Sequence, residues 1–189
     1  VTHWLDSRGP LGLIWIDAHM DSHTFATSPS GALHGMPLAC LLGHGETLLT
    51  NIVTRAPKLR PQHVCLFGVH SYETGEAALL RRLGVRVIGM DRIHREGVNA
   101  TLAEAVSIAQ NGTAGFGVSL DLDVLDPAEG PGVGSPAPGG LRRSDLEQGL
   151  RLLRGRAELL AMEIVEYNPH NDRDSLTALA AGALFRAIL

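Results

Sequence analysis

Residues 11–24, LGLIWIDAHMDSHT, join an apolar run directly to a cluster of polar side chains. The first six of them are almost wholly apolar and rich in large and β-branched side chains, which is typical of a strand buried on both faces of a parallel sheet. Asp17, His19 and Asp21 follow at alternate positions, so an extended backbone would point all three side chains the same way. Because open α/β sheets bind ligands at the carboxyl ends of their strands, the stretch predicts a metal site, against the alternative of exposed residues that merely cap a strand.

A second stretch, residues 116–127 with the sequence FGVSLDLDVLDP, repeats the pattern. Its apolar run ends in Asp121 and Asp123, again at alternate positions. Buried carboxylates that lie side by side without a cation are unfavourable, because their charges repel and lose contact with water. Two strands that both end in this way are most simply explained by divalent ions that the two strand ends share.

Composition places the chain among globular proteins. Of its 189 residues, 44% are hydrophobic and 19% are charged, which predicts a single domain over residues 1–189. The net charge is −4 and no long basic run is present, so we expect no nucleic-acid partner. No apolar stretch is long enough for a membrane span and no signal peptide opens the sequence, so we expect a cytoplasmic location and no membrane partner. Cys40 and Cys65 lie in apolar runs and resemble small buried hydrophobic residues, not disulfide or zinc ligands.

Strands and helices alternate along the chain at the spacing of βα units, which predicts a parallel sheet. Gly84 is placed to end one helix in the C′ position. Ser144 and Glu147 have the spacing of a capping box at the start of another helix. Residues 1–10 are predicted to be the end of a helix and a turn. The predicted strands cover residues 11–16, 63–69, 85–90, 116–122 and 157–165, and the predicted helices cover residues 36–42, 73–83, 101–110 and 175–188, with a further helix that Ser144 begins.

One irregular segment interrupts this alternation at residues 124–141. Prolines stand at positions 127, 131, 136 and 138, and glycines stand at positions 130, 132, 134, 139 and 140. Irregular segments of this length within a compact domain usually have a function. Because the segment directly follows Asp123, we expect it to form a wall of the site, against the alternative of a stiff surface loop.

Five motifs resemble the manganese ureohydrolases, the family of arginase, agmatinase and their relatives. Residues 17–21 (DAHMD), 119–123 (SLDLD) and 165–169 (VEYNP) are similar to motifs of the whole family. Residues 28–39 (SPSGALHGMPLA) and 130–141 (GPGVGSPAPGGL) resemble the arginase branch in particular. The resemblance implies a three-layer α/β/α fold with a mostly parallel central sheet, here without the N-terminal strands. It also implies hydrolysis of a guanidino group to urea and an amine, with L-arginine as the first candidate substrate and L-ornithine as its product.

The same resemblance implies two Mn²⁺ ions per subunit and assigns their ligands. Asp17 and Asp121 would bridge the ions, His19 and Asp123 would hold one of them, and Asp21 would hold the other. Hard oxygen ligands with a single imidazole suit Mn²⁺ better than metals that prefer thiolates. Water at neutral pH attacks the resonance-stabilised guanidinium poorly, and two ions that share a water lower its pKa.

Catalytic and substrate-binding residues also follow from the resemblance. Glu166 would pair with the planar guanidinium, whose fork of N–H groups a carboxylate matches. His34 would carry a proton to the leaving amine, since histidine titrates near neutral pH, against the alternative of a surface-loop histidine. Asp21 would belong to the catalytic group as well as to the metal ligands. The residues expected to contact the rest of the substrate are His23, Ser30, Ala32, Glu73, Glu76 and Ser135.

Three departures from the family motifs bear on these expectations. The family has a further histidine ligand in a Gly-Gly-Asp-His motif just before the region where this sequence starts; the motif is absent from this sequence, and His3 is no substitute. We therefore expect either a fragment of a longer chain or a site without one ligand. His23 and Ala32 stand where arginases usually carry asparagines that help to hold the amino-acid end of the substrate. Guanidinium chemistry is thus better supported than arginine itself, and agmatine or a guanidino acid is the alternative substrate.

Two further hypotheses compete with a ureohydrolase. A catalytically inactive homologue that serves as a binding or assembly subunit would explain the absent histidine. An unrelated α/β metallohydrolase would require the motifs around His34 and Glu166 to be coincidental. The expected partner is a small guanidino compound, and the resemblance implies a homo-oligomer, either a trimer or a hexamer.

Overall fold

A parallel sheet organises the described part of the chain. The computed structural model describes residues 8–55 and 57–189. Its strands are β1 (Gly12–Ile16), β2 (Val64–Val69), β3 (Arg86–Gly89), β4 (Phe116–Asp121) and β5 (Leu159–Val165). Neighbouring strands pair in parallel, in the order β3-β2-β1-β4-β5. The strand order reverses between β1 and β4, and such a reversal is where open α/β sheets form a ligand crevice.

Helices cover both faces of this sheet. The described helices are α1 (Pro37–Leu41), α2 (Thr47–Thr50), α3 (Thr74–Leu83), α4 (Met90–Glu96), α5 (Val98–Gln110), α6 (Arg143–Leu150) and α7 (Leu176–Ile188). One core packs the face that carries Ile14 and Ile16 against α4, α5, α6 and α7. The other core packs the opposite face, with Leu13 and Trp15, against α1 and α3. Two helix layers around one sheet confirm the predicted three-layer α/β/α fold.

The central strand β1 is buried along its whole length, as its continuous apolar sequence predicts. Its alternate side chains enter the two cores, and burying each large apolar side chain stabilises the fold by roughly 1.5–3 kcal/mol. A Cβ at Gly12 would lie 1.8 Å from the carbonyl oxygen of Ala109, so α5 can approach this strand only at a glycine. The close approach fixes α5 beneath the strand that leads to the candidate metal ligands.

The extended backbone predicted beyond residue 16 is wrong. β1 ends at Ile16, and residues 17–21 bend instead, with Asp21 in the left-handed region at a φ of 47°. A local hydrogen bond accounts for the bend, because the backbone N–H of His19 donates to Oδ1 of Asp17 at 2.6 Å. The polar side chains therefore converge through a turn and not through strand alternation.

The capping box predicted at residues 144–147 is also wrong. The helix α6 already begins at Arg143, so Ser144 lies within the first turn and makes no capping bond. Glu147 forms an ion pair with Arg143 instead, with 3.2 Å between Oε1 and Nε. A capping box forms at the start of α3, between Glu73 and Glu76.

Several element boundaries differ from the prediction. The predicted strand at residues 85–90 ends early, because Met90 begins α4, a helix that was not predicted. The helix α5 begins at Val98 and not at residue 101, and β5 begins at Leu159 and not at residue 157. The predicted end of α3 is confirmed, since Gly84 adopts the left-handed conformation with a φ of 74°.

The irregular segment 124–141 has the form that its prolines and glycines predict. Its two ends meet at the carboxyl end of β4, where the N–H of Leu141 donates to the carbonyl oxygen of Val124 at 2.8 Å. The N–H of Asp126 donates to the carbonyl oxygen of Leu141 at 2.9 Å. The residues between form a loop, which we call the wall segment, over the end of the sheet.

Two sequence predictions concern the chain ends and membranes. Residues 1–7, which hold His3 and most of the predicted N-terminal helix end, lie outside the described residues. Within the described ranges, each helix is either too short or too polar to cross a bilayer.

Candidate active site

The first candidate metal ligand, Asp17, follows β1 directly and is only 1% exposed. Its Oδ2 accepts a hydrogen bond from the indole Nε1 of Trp15 at 2.8 Å. Its Oδ1 accepts the bond from the N–H of His19 already described. Burial raises the pKa of Asp17, although these hydrogen bonds act in the opposite direction. The strand end thus holds a carboxyl group in a fixed orientation, largely out of contact with solvent.

Asp121 and Asp123 reach the same place from the end of β4. Oδ2 of Asp123 lies 3.0 Å from Nδ1 of His19, and Oδ1 of Asp123 accepts from the N–H of Ala18 at 3.3 Å. The N–H of Asp123 in turn donates to Oδ1 of Asp121 at 2.9 Å. One ligand atom each from Asp17, His19 and Asp123 lies within 4.8 Å of the others. The ends of β1 and β4 therefore build one cluster.

Crowding and burial in this cluster shift the pKa values of its members. Burial, reinforced by Asp123 and Asp17, raises the pKa of Asp121 to about 10. Burial and the charge of Asp17 raise the pKa of Asp21 to about 8. Hydrogen bonds to Asp123 and Asp17 raise the pKa of His19 to about 11. A divalent cation fits this donor set, because carboxylate oxygens and one imidazole are ligands that Mn²⁺ accepts and its charge would offset that of the crowded acids.

A cavity of about 280 Å³ adjoins the cluster. All the site residues predicted from the sequence line it except Asp17, which is buried at the end of β1. Four described lining residues were not predicted: Ser28, Pro29, Gly35 and Ser71. Three of these lie within the motif at residues 28–39. Ser71 follows the buried strand β2, so its position at a strand end could have indicated that it lines the site. None of the described lining residues is a lysine or an arginine.

His23, Glu73 and Glu76 form a hydrogen-bonded group on one side of the cavity. Nε2 of His23 lies 3.0 Å from Oε2 of Glu73 and 3.4 Å from Oε2 of Glu76, and Nδ1 lies 3.1 Å from Oγ1 of Thr27. Glu76 is buried, and its oxygens accept from the N–H groups of Ser22 and Glu73, each at 3.1 Å. The hydrogen bond to His23 lowers the pKa of Glu73, whose side chain is 60% exposed. Glu73 is therefore the exposed carboxylate of the group.

Glu166 enters the cavity from the end of β5. Its backbone has a φ of 64°, a left-handed conformation that costs a non-glycine residue roughly 1–2 kcal/mol. Strain of this kind is concentrated where a side chain must be oriented for function. A Cβ at Gly134 would lie 3.5 Å from Oε2 of Glu166, so the wall segment passes close to this carboxylate.

The loop between β1 and α1 also lines the cavity, through His34, Ser30 and Ala32. His34 is exposed and belongs to a 3-10 turn, Leu33–Gly35. Oγ of Ser30 accepts from the N–H of Ala32 at 3.2 Å. The loop therefore braces itself with its own side chains while it presents an imidazole and hydroxyl groups to the cavity.

Comparison with known proteins places this geometry in a family. The family model described as the arginase family matches residues 2–189. The chain belongs to the arginase family. Among the relatives of this arginase-family chain, the arginase of Brevibacillus brevis is 42% identical over 178 residues, which cover 94% of the chain and 60% of the relative.

Solved structures agree with this membership of the arginase family. An arginase from Bacillus caldovelox has a TM-score of 0.92 at 41% identity, and the match covers 95% of this chain and 60% of that one. A formimidoylglutamase from Bacillus subtilis has a TM-score of 0.82 at 26% identity, over 98% of this chain and 54% of that one. The chain spans about 60% of the length of the curated arginases that it matches.

Proposed function

We propose that this chain acts in the hydrolysis of a guanidino group to urea and an amine, with L-arginine as the first candidate substrate and L-ornithine as its product. The observation that carries the proposal is a single cavity lined by Glu166 together with Asp121 and Asp123, with no lysine or arginine among its described lining residues. A planar, cationic guanidinium matches such a cavity, since one carboxylate can accept two parallel hydrogen bonds from it. The likeness to two bacterial arginases supports the same reaction.

Two Mn²⁺ ions belong to the proposal. When bound, such ions lower the pKa of water enough for it to act as a nucleophile near neutral pH. In the chain itself, Trp15 holds Asp17 in place, and such outer contacts orient metal ligands and adjust affinity. The residues that would hold the ions are Asp17, His19, Asp21, Asp121 and Asp123.

Three side chains would handle the guanidino group. Glu166 would bind and orient the guanidinium, and its strained backbone fixes the direction from which it does so. The exposed ring of His34 can exchange protons with solvent, so it would pass a proton to the leaving nitrogen. Asp21 lines the same cavity and would take part in catalysis as well as in metal binding.

The opposite end of the substrate would meet Glu73. Its exposed carboxylate, with a lowered pKa, suits an ammonium group. Glu76 and His23 already use their polar atoms within the protein, so they would orient Glu73 more than they touch the substrate. Ser30 and Ser135 would supply hydroxyl groups, and Ala32 would supply only a methyl group.

A second candidate substrate is agmatine, and a guanidino acid is a third. Ala32 has no polar side-chain atom, and both ring nitrogens of His23 have partners within the protein. Positions 23 and 32 therefore offer no side-chain donor to a substrate carboxylate, which favours an amine that lacks one. A formimidoylglutamase among the similar structures indicates that this fold serves more than one substrate.

The test is urea release in the presence of Mn²⁺ from L-arginine, agmatine and 4-guanidinobutyrate, measured side by side. We expect urea from L-arginine and a loss of about hundredfold in kcat/KM in Glu166→Gln, because the amide keeps the size but loses the charge. Glu158→Gln, at an exposed position outside the cavity, is the matched control.

Other outcomes of this assay select among the alternatives. Urea from agmatine or 4-guanidinobutyrate alone would move the substrate away from arginine. Urea from none of the three, together with fewer than two bound Mn²⁺ ions per chain, would favour either a fragment of a longer chain or the inactive homologue that serves as a binding or assembly subunit.

Three further sequence predictions stay predictions. They are a single catalytic domain over residues 1–189, a trimeric or hexameric assembly, and a cytoplasmic location. Light scattering coupled to gel filtration would measure the mass of the assembly.

A further inference from the structure

The wall segment, residues 124–141, carries Ser135 into the cavity, so the position of that hydroxyl depends on what holds the segment. The backbone bonds between Val124, Asp126 and Leu141 close its base, and Oδ2 of Asp126 accepts from the N–H of Gly139 at 3.2 Å. Ser135 itself is exposed, and the neighbouring Pro136 and Pro138 have no backbone N–H to donate to a regular ladder of hydrogen bonds. Side chains from other elements must therefore fix the part of the wall that faces the substrate.

On the N-terminal side of Ser135, the region after β5 supplies these contacts. The N–H of Gly132 donates to Oγ1 of the buried Thr177 at 2.7 Å, and the carbonyl oxygen of Gly132 accepts from the N–H of Asn168 at 2.8 Å. Nδ2 of Asn171 donates to the carbonyl oxygen of Val133 at 2.8 Å. The wall is thus held firmly up to two residues before Ser135.

On the C-terminal side, the contact comes from His70, which follows β2. Its Nε2 lies 3.2 Å from the carbonyl oxygen of Ala137, and its Nδ1 lies 2.7 Å from the carbonyl oxygen of Gly68. Carbonyl oxygens only accept hydrogen bonds, so a proton on Nε2 lets the ring donate to Ala137 and a proton on Nδ1 lets it donate to Gly68; the neutral ring carries one of these protons and the imidazolium carries both. With a proton on Nε2, the ring links the end of β2 to the residue two positions after Ser135.

The backbone of His70 is itself tied to the candidate metal cluster. The N–H groups of His70 and Ser71 both donate to the carbonyl oxygen of Ala18 at 2.9 Å, and Ala18 lies between Asp17 and His19. The ring of His70 does not line the cavity, so it does not reach the substrate. It joins the turn that carries the candidate ligands to the wall that carries Ser135.

We propose that His70 is a positioning residue that holds Ser135 in the cavity, where its hydroxyl would contact the substrate, through its bond to Ala137. The proposal rests on the proposed function for its effect on turnover, but the contact it describes does not depend on that function. Small displacements of substrate-positioning groups are enough to change rates by tenfold or more.

The kinetic test is a double-mutant cycle of His70→Leu and Ser135→Ala in the full protein with Mn²⁺. We expect His70→Leu to lower kcat/KM about tenfold with unchanged metal content, and to have little further effect when Ser135 is already alanine, because coupled residues are not additive. His70→Gln, which keeps an N–H donor, should recover part of the loss. Equal effects of His70→Leu with and without Ser135 would overturn the proposal.

A second measurement tests the contact between His70 and the wall segment without an activity assay. Hydrogen–deuterium exchange of peptides that span residues 130–141 should be at least about threefold faster in His70→Leu, while peptides from the buried β1 stay unchanged. His44→Leu, on the loop between α1 and α2, is the matched control. Unchanged exchange of the wall would reject the positioning role, and absence of urea from every guanidino compound in the wild type would reject only the proposed function.

Discussion

Asp121 and Asp123 end one strand with buried carboxyl groups, and burial together with the charges of Asp123 and Asp17 raises the pKa of Asp121 to about 10. We predict that Asp121→Asn combined with Asp123→Asn lowers the Mn²⁺ retained after gel filtration at least about tenfold, because two of the proposed ligands lose their charge. Elemental analysis of the purified protein measures this. Asp145→Asn, at an exposed position of α6, serves as the control, and unchanged metal content in the double variant would contradict the proposed site.

Individual residues of the site were largely predictable because residue type and spacing carry the chemical signal. Asp17 and Asp123 were expected to converge, and their ligand atoms lie within one cluster. The backbone that brings them together was not predictable, since the turn after Ile16 depends on a hydrogen bond to Asp17 that alternation cannot reveal. The hydrogen bond between His23 and Glu73 likewise joins positions far apart in the sequence, so no local sequence pattern predicts it.

Between elements, an ion-pair network joins β3, α4 and α5. Oε1 of Glu104 accepts from Nη1 of Arg92 at 3.1 Å and lies 2.7 Å from Nη2 of Arg86. The hydrogen bond from Arg92 lowers the pKa of Glu104 in the folded protein. A lowered folded pKa stabilises the fold at pH values above the unfolded pKa, and this contribution is lost as the pH falls through the folded pKa.

We therefore predict that Glu104→Gln lowers the free energy of unfolding by about 1 kcal/mol at pH 7 and by much less at pH 3, since the network is partly exposed. Urea unfolding at the two pH values measures the difference. Glu46→Gln, at an exposed position outside the network, should have little effect at either pH. An equal destabilisation by Glu104→Gln at pH 3 and pH 7 would show that charge is not the cause.

Helix capping shows one limit of predicting helix starts from the sequence. The spacing of Ser144 and Glu147 fits a capping box as well as that of Glu73 and Glu76 does, yet only the second pair forms one. The difference is tertiary, because Glu76 also accepts from the N–H of Ser22 and is thereby buried at the start of α3. Spacing identifies the candidates, and contacts with distant parts of the chain select between them.

At the scale of the whole molecule, β5 is an edge strand. It pairs with β4, and within the described residues no strand pairs with its other side. Its sequence LLAMEIV is mainly apolar, and Ala161 and Glu163 are exposed, whereas β1 and β2 are buried throughout. Apolar edge strands without a lysine or proline tend to pair with other chains.

We predict that Ala161→Lys reduces concentration-dependent association of the chain, because a charged side chain at an edge opposes pairing with another strand. Dynamic light scattering over a concentration series measures the association. Ala178→Lys, at an exposed position on α7 and not on the edge strand, is the control. Equal association of the wild type and Ala161→Lys would show that the β5 edge is not the contact.

The parallel, three-layer arrangement was predictable because strands and helices alternate in the sequence, but the order of the strands was not. The spacing of strands and helices along the sequence predicts that paired strands are parallel, but it does not predict which strands pair. The pairing of β1 with both β2 and β4 joins segments that lie far apart in the sequence, so local patterns do not specify it. That pairing is what sets Ser71 and the wall segment around one cavity.

The left-handed backbone of Glu166 has a consequence for the evolution and engineering of this protein. Glycine, and to a lesser degree asparagine, adopts that conformation more easily, so replacing the glutamate relieves strain while it removes the carboxylate. Selection for heat resistance and selection for turnover therefore act in opposite directions at this one codon. A mutant library enriched only for survival at high temperature should accumulate glycine at position 166 and lose the proposed urea release in the same step.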